Sequence, residues 1–319
     1  WVVKVDDTGR IEWEKSLGGT DGESAHSILQ TPDKGYLIAG DTYSTDGDIT
    51  NNLGDSDAWL VKLDSLGNIQ WEKVYVDSMG DAIYSLAPTI DGGYIGAGVT
   101  YLSSTNQDLL IVKVDDTGGL MWFKRYGGTS DDHAFFIVST VDSGYIVCGR
   151  TSSNDGDVQS TNHGFFDVWI VKLENSGAIE WERCYGGSNN DVGYSIIQTT
   201  DNQYVFAGAV GSSNGDVNSN HGLYDFWVVK LWSEALGIQE LEQPEISVFP
   251  TVTAGRINVK HTGSKYYRYE IVNALGQFVG SGELKQSSTA IDLPASAQGL
   301  MFVRIYSEAQ SATFKIIVR

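Results

Sequence analysis

The sequence predicts an all-β chain: a β-propeller of about four visible four-stranded blades, then a small immunoglobulin-like β-sandwich. Three observations predict it. One line of sequence recurs five times, as Trp1-Val-Val-Lys-Val, Trp59-Leu-Val-Lys-Leu, Leu110-Ile-Val-Lys-Val, Trp169-Ile-Val-Lys-Leu and Trp227-Val-Val-Lys-Leu, at spacings of 58, 51, 59 and 58 residues. A fixed period of that length means stacked copies of one supersecondary unit. Between the copies lie short runs of Val, Ile, Trp and Tyr broken by Gly, Asp and Pro, with no helical period of apolar residues. The composition then changes near residue 246, and all nine Trp precede that point.

The first copy shows the elements in order. Trp1–Val5 is a strand, and Asp6-Asp-Thr-Gly9 is a turn. Ile11–Leu17 alternates around Trp13 before Gly18-Gly19 breaks the chain. Ala25–Thr31 is the third strand, Pro32-Asp-Lys-Gly35 turns it, and Tyr36–Thr42 is the fourth. Later copies keep Trp13 as Trp71, Trp122 and Trp181, and Tyr36 as Tyr94, Tyr145 and Tyr204. The pair Ala39-Gly40 recurs as Ala97-Gly98, Cys148-Gly149 and Ala207-Gly208. The Gly-Gly break recurs at Gly127 and Gly186, while the second copy has Val76-Asp77. One blade cannot bury both faces, so neighbours must stack, with the repeated Trp and Tyr filling the space between them. The small pair belongs where strands crowd near the axis. The first-line strand has five copies and the other three have four. We therefore expect Trp1–Val5 to close a blade whose other strands lie upstream. In the alternative, Trp1–Val5 or Trp227–Leu231 supplies a swapped closing strand and the other is surplus. An open arc would leave sheet faces and edges exposed.

The chain carries 41 Asp and Glu against 21 Lys and Arg; residues 246–319 hold four of the acids and eight of the bases, which leaves 37 against 13 before them. That surface repels phosphate backbones, so nucleic acid is excluded as a partner of the first domain. No run reaches the roughly 18 apolar residues of a membrane span. Cys148 and Cys184 fall inside strands at non-equivalent places and are expected as small buried hydrophobes.

The polar loop before each Trp carries the candidate metal ligands. It offers Asp46, Asp48, Asn52 and Asp57 in the first copy; Asp155, Asp157, Asn162 and Asp167 in the third; and Asp216, Asn220 and Asp225 in the fourth. The second copy keeps only Asp108 of this set. Calcium takes six to eight oxygens, and Asp and Asn alternating around Gly supply several from one loop. The competing use of the same residues is turn capping, with side chains accepting nearby backbone N–H groups. The spacing differs from the Asp-box of sialidase-like propellers, and the repeat region has only Arg10, Arg125, Arg150 and Arg183. A sialidase needs clustered arginines to hold a carboxylate, so that chemistry is not expected. His163 and His221 are equivalent loop residues, whereas His26, His133 and His261 are not repeated. Nucleophile-elbow, zincin and phosphate-loop motifs are missing, and no carboxylate pair stands out as an acid/base couple.

The domain boundaries expected are 1–231 for the repeats, 232–245 for an acidic linker and 246–319 for the sandwich. Strands are expected at Ile246–Phe249, Arg256–His261, Tyr267–Val272, Phe278–Glu283, Ser288–Asp292, Gly299–Tyr306 and Ala312–Val318. This segment resembles the C-terminal sorting domain of the type IX secretion system of Bacteroidetes-type bacteria. Ile246-Ser-Val-Phe-Pro, Gly255-Arg-Ile-Asn-Val and Tyr269-Glu-Ile-Val-Asn-Ala-Leu-Gly with Val279 carry the resemblance, together with Ile291-Asp-Leu-Pro, Gly299-Leu-Met-Phe-Val-Arg and the basic end Lys315-Ile-Ile-Val-Arg. Two departures are Pro250-Thr-Val for Pro-Asn-Pro and Asn273 for the usual Asp. The resemblance implies export across the outer membrane through the secretion machinery, to the medium or the cell surface. The function expected is a non-catalytic binding or adhesion module for an extracellular glycan or protein. The rivals are a polysaccharide or peptide hydrolase and a purely structural surface-layer protein.

Overall fold

The computed structural model describes all residues except 53–54, 76–78, 232–245, 251, 262–266, 285, 295–296 and 307–310. The expected linker and the Val76-Asp77 break lie outside the described residues. Every described element of regular structure is a strand. The chain divides into two compact units, Trp1–Ser233 and Glu234–Arg319.

The first unit is a succession of antiparallel sheets. Strands β1 (Val2–Val5) and β2 (Ile11–Lys15) form a two-stranded sheet. Three four-stranded blades follow. The first is β3 (Glu23–Gln30), β4 (Tyr36–Thr42), β5 (Asp57–Leu63) and β6 (Ile69–Tyr75). The second is β7 (Asp81–Pro88), β8 (Tyr94–Ser103), β9 (Asn106–Val114) and β10 (Leu120–Tyr126). The third is β11 (Asp132–Ser139), β12 (Tyr145–Thr151), β13 (Asp167–Leu173) and β14 (Ile179–Tyr185). A three-stranded sheet of β15 (Asp191–Gln198), β16 (Tyr204–Val210) and β17 (Asp225–Leu231) ends the series.

The propeller-like repeat is as expected, but its phase differs from that of the sequence unit. A blade begins at the third strand of each unit, not at the Trp line. The Gly-Gly break is where the chain steps from the outermost strand of one blade to the innermost strand of the next. The long polar loop stays inside a blade, between its second and third strands. Among the described residues, β1 pairs with β2 and β17 with β16, so neither supplies a swapped closing strand.

Blades stack through alternate residues of their middle strands. Leu37, Ala39, Ala58 and Leu60 pack on Ile83, Tyr94, Leu110 and Val112 of the next blade. Ile95, Ala97, Leu109 and Ile111 meet Tyr145, Val147, Trp169 and Val171. Ile146, Cys148, Val168 and Ile170 meet Ile196, Tyr204 and Phe206. Trp71 lies against Gly118 and Trp122 against Gly177, each on a turn of the following blade. The recurrent Lys of the Trp line is a buried tether. Lys62, Lys113 and Lys172 reach Asp33, Asp91 and Asp142 of the turn between the first two strands of the blade, at 2.8, 2.6 and 2.8 Å. Lys62 and Thr31 hold the Asp33 carboxyl at about 2. The stacking stops at both ends. Phe226 and Val228 are exposed on β17, where the equivalent Val168 and Ile170 are fully buried, and Trp1 is exposed where Trp169 is buried.

The second unit is a two-sheet sandwich. One sheet is β18 (Ile246–Phe249), β20 (Arg256–His261) and β23 (Ser288–Asp292). The other joins β19 (Val252–Thr253), β21 (Tyr267–Asn273), β22 (Phe278–Leu284), β24 (Gly299–Tyr306) and β25 (Ser311–Val318). Ile257, Val259, Tyr267, Val303, Ile305 and Ile316 are buried between them. All seven expected strands form; the short β19, paired in parallel with β25, was not expected.

Candidate binding site on the inner strands

The predicted loop residues do not converge on one centre. Asp46 and Asp155 accept the backbone N–H of Thr20 and Thr129, both at 2.8 Å. Asp48, Asp157 and Asp216 accept from Gly18, Gly127 and Gly186 at 3.0, 3.2 and 3.1 Å. These bonds clamp the step between blades. Asn52, Asn162 and Asn220 each donate through Nδ2 to the end of the second strand of the blade, at Thr42, Thr151 and Val210. Asp167 and Asp225 accept the backbone N–H of His163 and His221, at 2.7 and 2.6 Å. Among the described residues, no three His, Cys, Asp or Glu side chains come together as a metal-holding group. Asp57 lies buried at the start of β5. Cys148 and Cys184 are free and buried.

At the step between blades, two carboxyls approach each other. Asp108 Oδ1 and Asp132 Oδ2 crowd the same point beside Gly127, at 2.8 and 2.5 Å from where a Cβ would stand. Asp167 Oδ1 and Asp191 Oδ2 do so beside Gly186, at 2.5 and 2.6 Å. Asp132 and Asp191 are satisfied: Ser153 and Gly128 donate to the first, Ser212 and Gly187 to the second. Oδ1 of Asp108 and Oδ1 of Asp167 are buried without a hydrogen-bond partner. Burial first, and then Asp132 and Asp157, lift the Asp108 carboxyl to about 6. Burial likewise raises Asp132 and Asp167.

A different set of residues converges at the innermost strands. Each of β3, β7, β11 and β15 carries a bulge at its fourth residue, where the register against the second strand of the blade shifts. The extra residues are His26, Tyr84, Phe135 and Tyr194. The bulge explains the recurrent glycine opposite it: a Cβ on Gly40, Gly98, Gly149 or Gly208 would stand 1.7, 1.8, 1.8 or 2.0 Å from a backbone oxygen of the inner strand. The bulge side chains form a row from blade to blade. Ring centroids lie 4.9 Å apart for His26 and Tyr84, 6.1 Å for Tyr84 and Phe135, and 5.6 Å for Phe135 and Tyr194. The middle pair is stacked at 22° between planes.

Charged groups flank this row without repeating. The second-strand position next to the bulge is Asp41, Val99, Arg150 and Ala209 in successive blades. Asp41 bonds His26 Nε2 at 2.8 Å. The Arg150 guanidinium lies over Phe166 at 4.2 Å and near Phe135 at 5.7 Å. Its Nε is buried without a partner. His133, opposite Arg150 on β11, is 8% exposed and also has an unpartnered Nε2. Burial, then Arg150, depresses the His133 imidazole to about 4, so it is neutral at pH 7. Burial, Tyr101 and Asp41 push the Tyr84 hydroxyl up to about 12, keeping it a donor. The arrangement offers flat rings, hydroxyls and one unpaired guanidinium on one surface, which suits recognition. Sequence reasoning passed over this site, although His26, Tyr84, Phe135 and Tyr194 fall at spacings of 58, 51 and 59, as the Trp line does.

Residues 247–319 match the model of the secretion system C-terminal sorting domain. A segment of 184 residues is 24% identical to the regulatory protein FlaEY of Caulobacter vibrioides, covering 52% of this chain and 19% of that protein. The chain thus spans about a fifth of that curated relative. Among solved structures, it is similar to PorZ, described as an essential bacterial surface component of the type IX secretion system of Porphyromonas gingivalis. The identity is 12% and the TM-score 0.31, over 93% of this chain and 39% of that one. Others are Synechocystis apocarotenoid oxygenase (13%, TM-score 0.39, 96% and 62%) and Bombyx mori GH32 β-fructofuranosidase (11%, TM-score 0.33, 94% and 75%). These structural likenesses carry nothing about what the chain binds. The sorting domain marks the protein for export, to the medium or the cell surface.

Proposed function

We propose that this exported protein, addressed by residues 246–319 to the type IX secretion machinery, is a non-catalytic binding module for an extracellular glycan. The boundaries proposed are 1–231 for the repeats, 232–245 for the linker and 246–319 for the sorting domain. The observation that carries the binding reading is the row His26–Tyr84–Phe135–Tyr194 with Asp41 and Arg150 beside it. The repeated Trp71, Trp122, Tyr94, Tyr145 and Tyr204 serve blade stacking. In the row the rings stand on a partly open surface, and the groups around them differ from blade to blade. Stacked rings with polar edges are how binding sites hold sugars, by apolar contact below and hydrogen bonds at the rim.

Hydrolysis is the rival. Glycoside cleavage commonly needs two carboxyls about 5–10 Å apart. Asp41, the carboxylate beside Tyr84, is held by His26. A glycan array probed with the full chain, and again with Tyr84→Ala and Phe135→Ala, tests the reading. Binding lost in both variants is the expected result. Release of reducing ends by the wild type transfers the site to the hydrolase reading, and unchanged binding in both variants leaves the scaffold reading. In a type IX-secreting cell, removal of residues 246–319 is expected to leave the repeat domain in the periplasm; export of the shortened chain would refute the address.

Calcium is proposed as a second ligand, at the steps between blades. What supports it is the unpartnered Oδ1 of Asp108 and of Asp167, each facing a carboxyl of the following blade.

A further inference from the structure

We infer that the inner-strand surface selects a carboxylated sugar, with the Arg150 guanidinium gripping the carboxylate and the Tyr84–Phe135 ring pair lying under the sugar ring. This rests on the binding reading above and names the ligand class of that site.

Arg150 differs from the buried lysines of its domain. Before residue 246 acids outnumber bases by 37 to 13, and the buried lysines of the Trp line are each taken by a carboxylate. Lys62, Lys113, Lys172 and Lys230 are each paired with an Asp. Arg150 makes no ion pair among the described residues, and its Nε is buried without an acceptor. Stacking on Phe166 holds the guanidinium flat, with its planar edge preorganised for two parallel hydrogen bonds to a carboxylate. The neighbouring His133 Nε2 is likewise buried and without a partner, so a second polar group waits on the same ligand. The neutral imidazole adds a hydrogen bond and no competing charge.

The rest of the surface distinguishes a sugar from a peptide. An extended peptide would add to a sheet edge through a regular row of backbone groups. The bulges at His26, Tyr84, Phe135 and Tyr194 interrupt that row on every inner strand. What the strands present instead is ring surface. Tyr84 and Phe135 are half-buried and Tyr194 is 54% exposed, so the row leaves open ring surface for the apolar CH face of a pyranose.

Isothermal titration of the full chain tests the inference with neutral oligosaccharides that end in a single galacturonate, glucuronate or mannuronate, and with each one's carboxyl-reduced counterpart, which differs only at the acid. The expected result is binding of at least one acid form, at least tenfold tighter than its reduced partner. Arg150→Gln should abolish that preference, Arg150→Lys should restore part of it, and Phe135→Ala should weaken both forms. Tryptophan-fluorescence melting checks that the variants fold. Equal affinity for acid and reduced forms, or a preference that survives Arg150→Gln, overturns the carboxylate assignment and leaves the glycan reading standing. Binding of none of these sugars overturns the carboxylate assignment outright; the array then decides the glycan reading separately.

Discussion

Replacing Asp108 by Asn should make the repeat domain more stable near neutral pH and remove part of its pH dependence. Asp108 is 8% exposed, its Oδ1 lacks a partner, and that oxygen shares the space beside Gly127 with Asp132. The folded protein therefore prefers the protonated acid, and its carboxyl titrates near 6 against about 3.9 in the unfolded chain. Between those values the folded state binds the extra proton, so stability falls as pH rises from about 4 to about 6 and stays low above that. Two pH units correspond to at most about 3 kcal/mol. Solvent screening at the edge of the step reduces this to about 1–2 kcal/mol. Asn keeps the shape, carries no charge and can donate to Asp132. In a domain of this size that gain is worth about 2–8 °C in melting temperature. All nine Trp precede residue 246, so tryptophan fluorescence reports this domain and not the sandwich. Melting curves from pH 4 to 8 should show the variant ahead at pH 7.5 and level with the wild type at pH 4. A variant that melts lower at pH 7.5, or a gap that does not change with pH, would refute the reasoning.

Three further outcomes are expected. Gly149→Ala places a Cβ 1.8 Å from the His133 carbonyl, so the bulge must shift, and urea unfolding should show a loss of about 1–3 kcal/mol or more. Trp169→Ala empties a fully buried position between the second and third blades and should cost about 3–5 kcal/mol in the same assay; a loss below 1 kcal/mol would contradict the stacking described. The calcium proposal predicts that millimolar calcium raises the fluorescence melting midpoint at pH 7.5, and raises it less in Asp167→Asn. No rise would leave the loop Asp and Asn residues as turn caps.

The strands were legible because each is a run of β-branched and aromatic residues between Gly- and Asp-rich turns, and such runs follow from local chemistry. Tyr36–Thr42 and most of the sandwich strands fall where expected. The phase of the blades was not legible. A tandem unit has no intrinsic beginning, and the Trp line is the third strand of a blade rather than its first. What sets the blade boundary is a long-range fact, that the Gly-Gly step is clamped by Asp48, Asp157 and Asp216 from the following loop, 30 residues on. The loop carboxylates were recognised as a set, but a list of oxygens does not show which are already taken by backbone donors.

The inner-strand row was hidden for a related reason. Strict alternation along Glu23–Gln30 assigns His26 to a face by counting, and the bulge inserts a residue that breaks the count. Residue identity gave no help, since His, Tyr, Phe and Tyr do not look like copies. Only the spacing shows that they occupy one position. In a repeat protein, identical residues at the period mark what the stack requires, and the Trp line, its Lys tether and the bulge-facing glycine are of that kind. Positions that keep their place in the period and vary in chemistry mark what the stack does not require. His26, Tyr84, Phe135 and Tyr194, with Asp41 and Arg150 alternating against Val99 and Ala209, are such positions. The Arg150 guanidinium, stacked on Phe166 with its Nε lacking an acceptor, is the position of this kind on which the proposed recognition of an outside ligand rests.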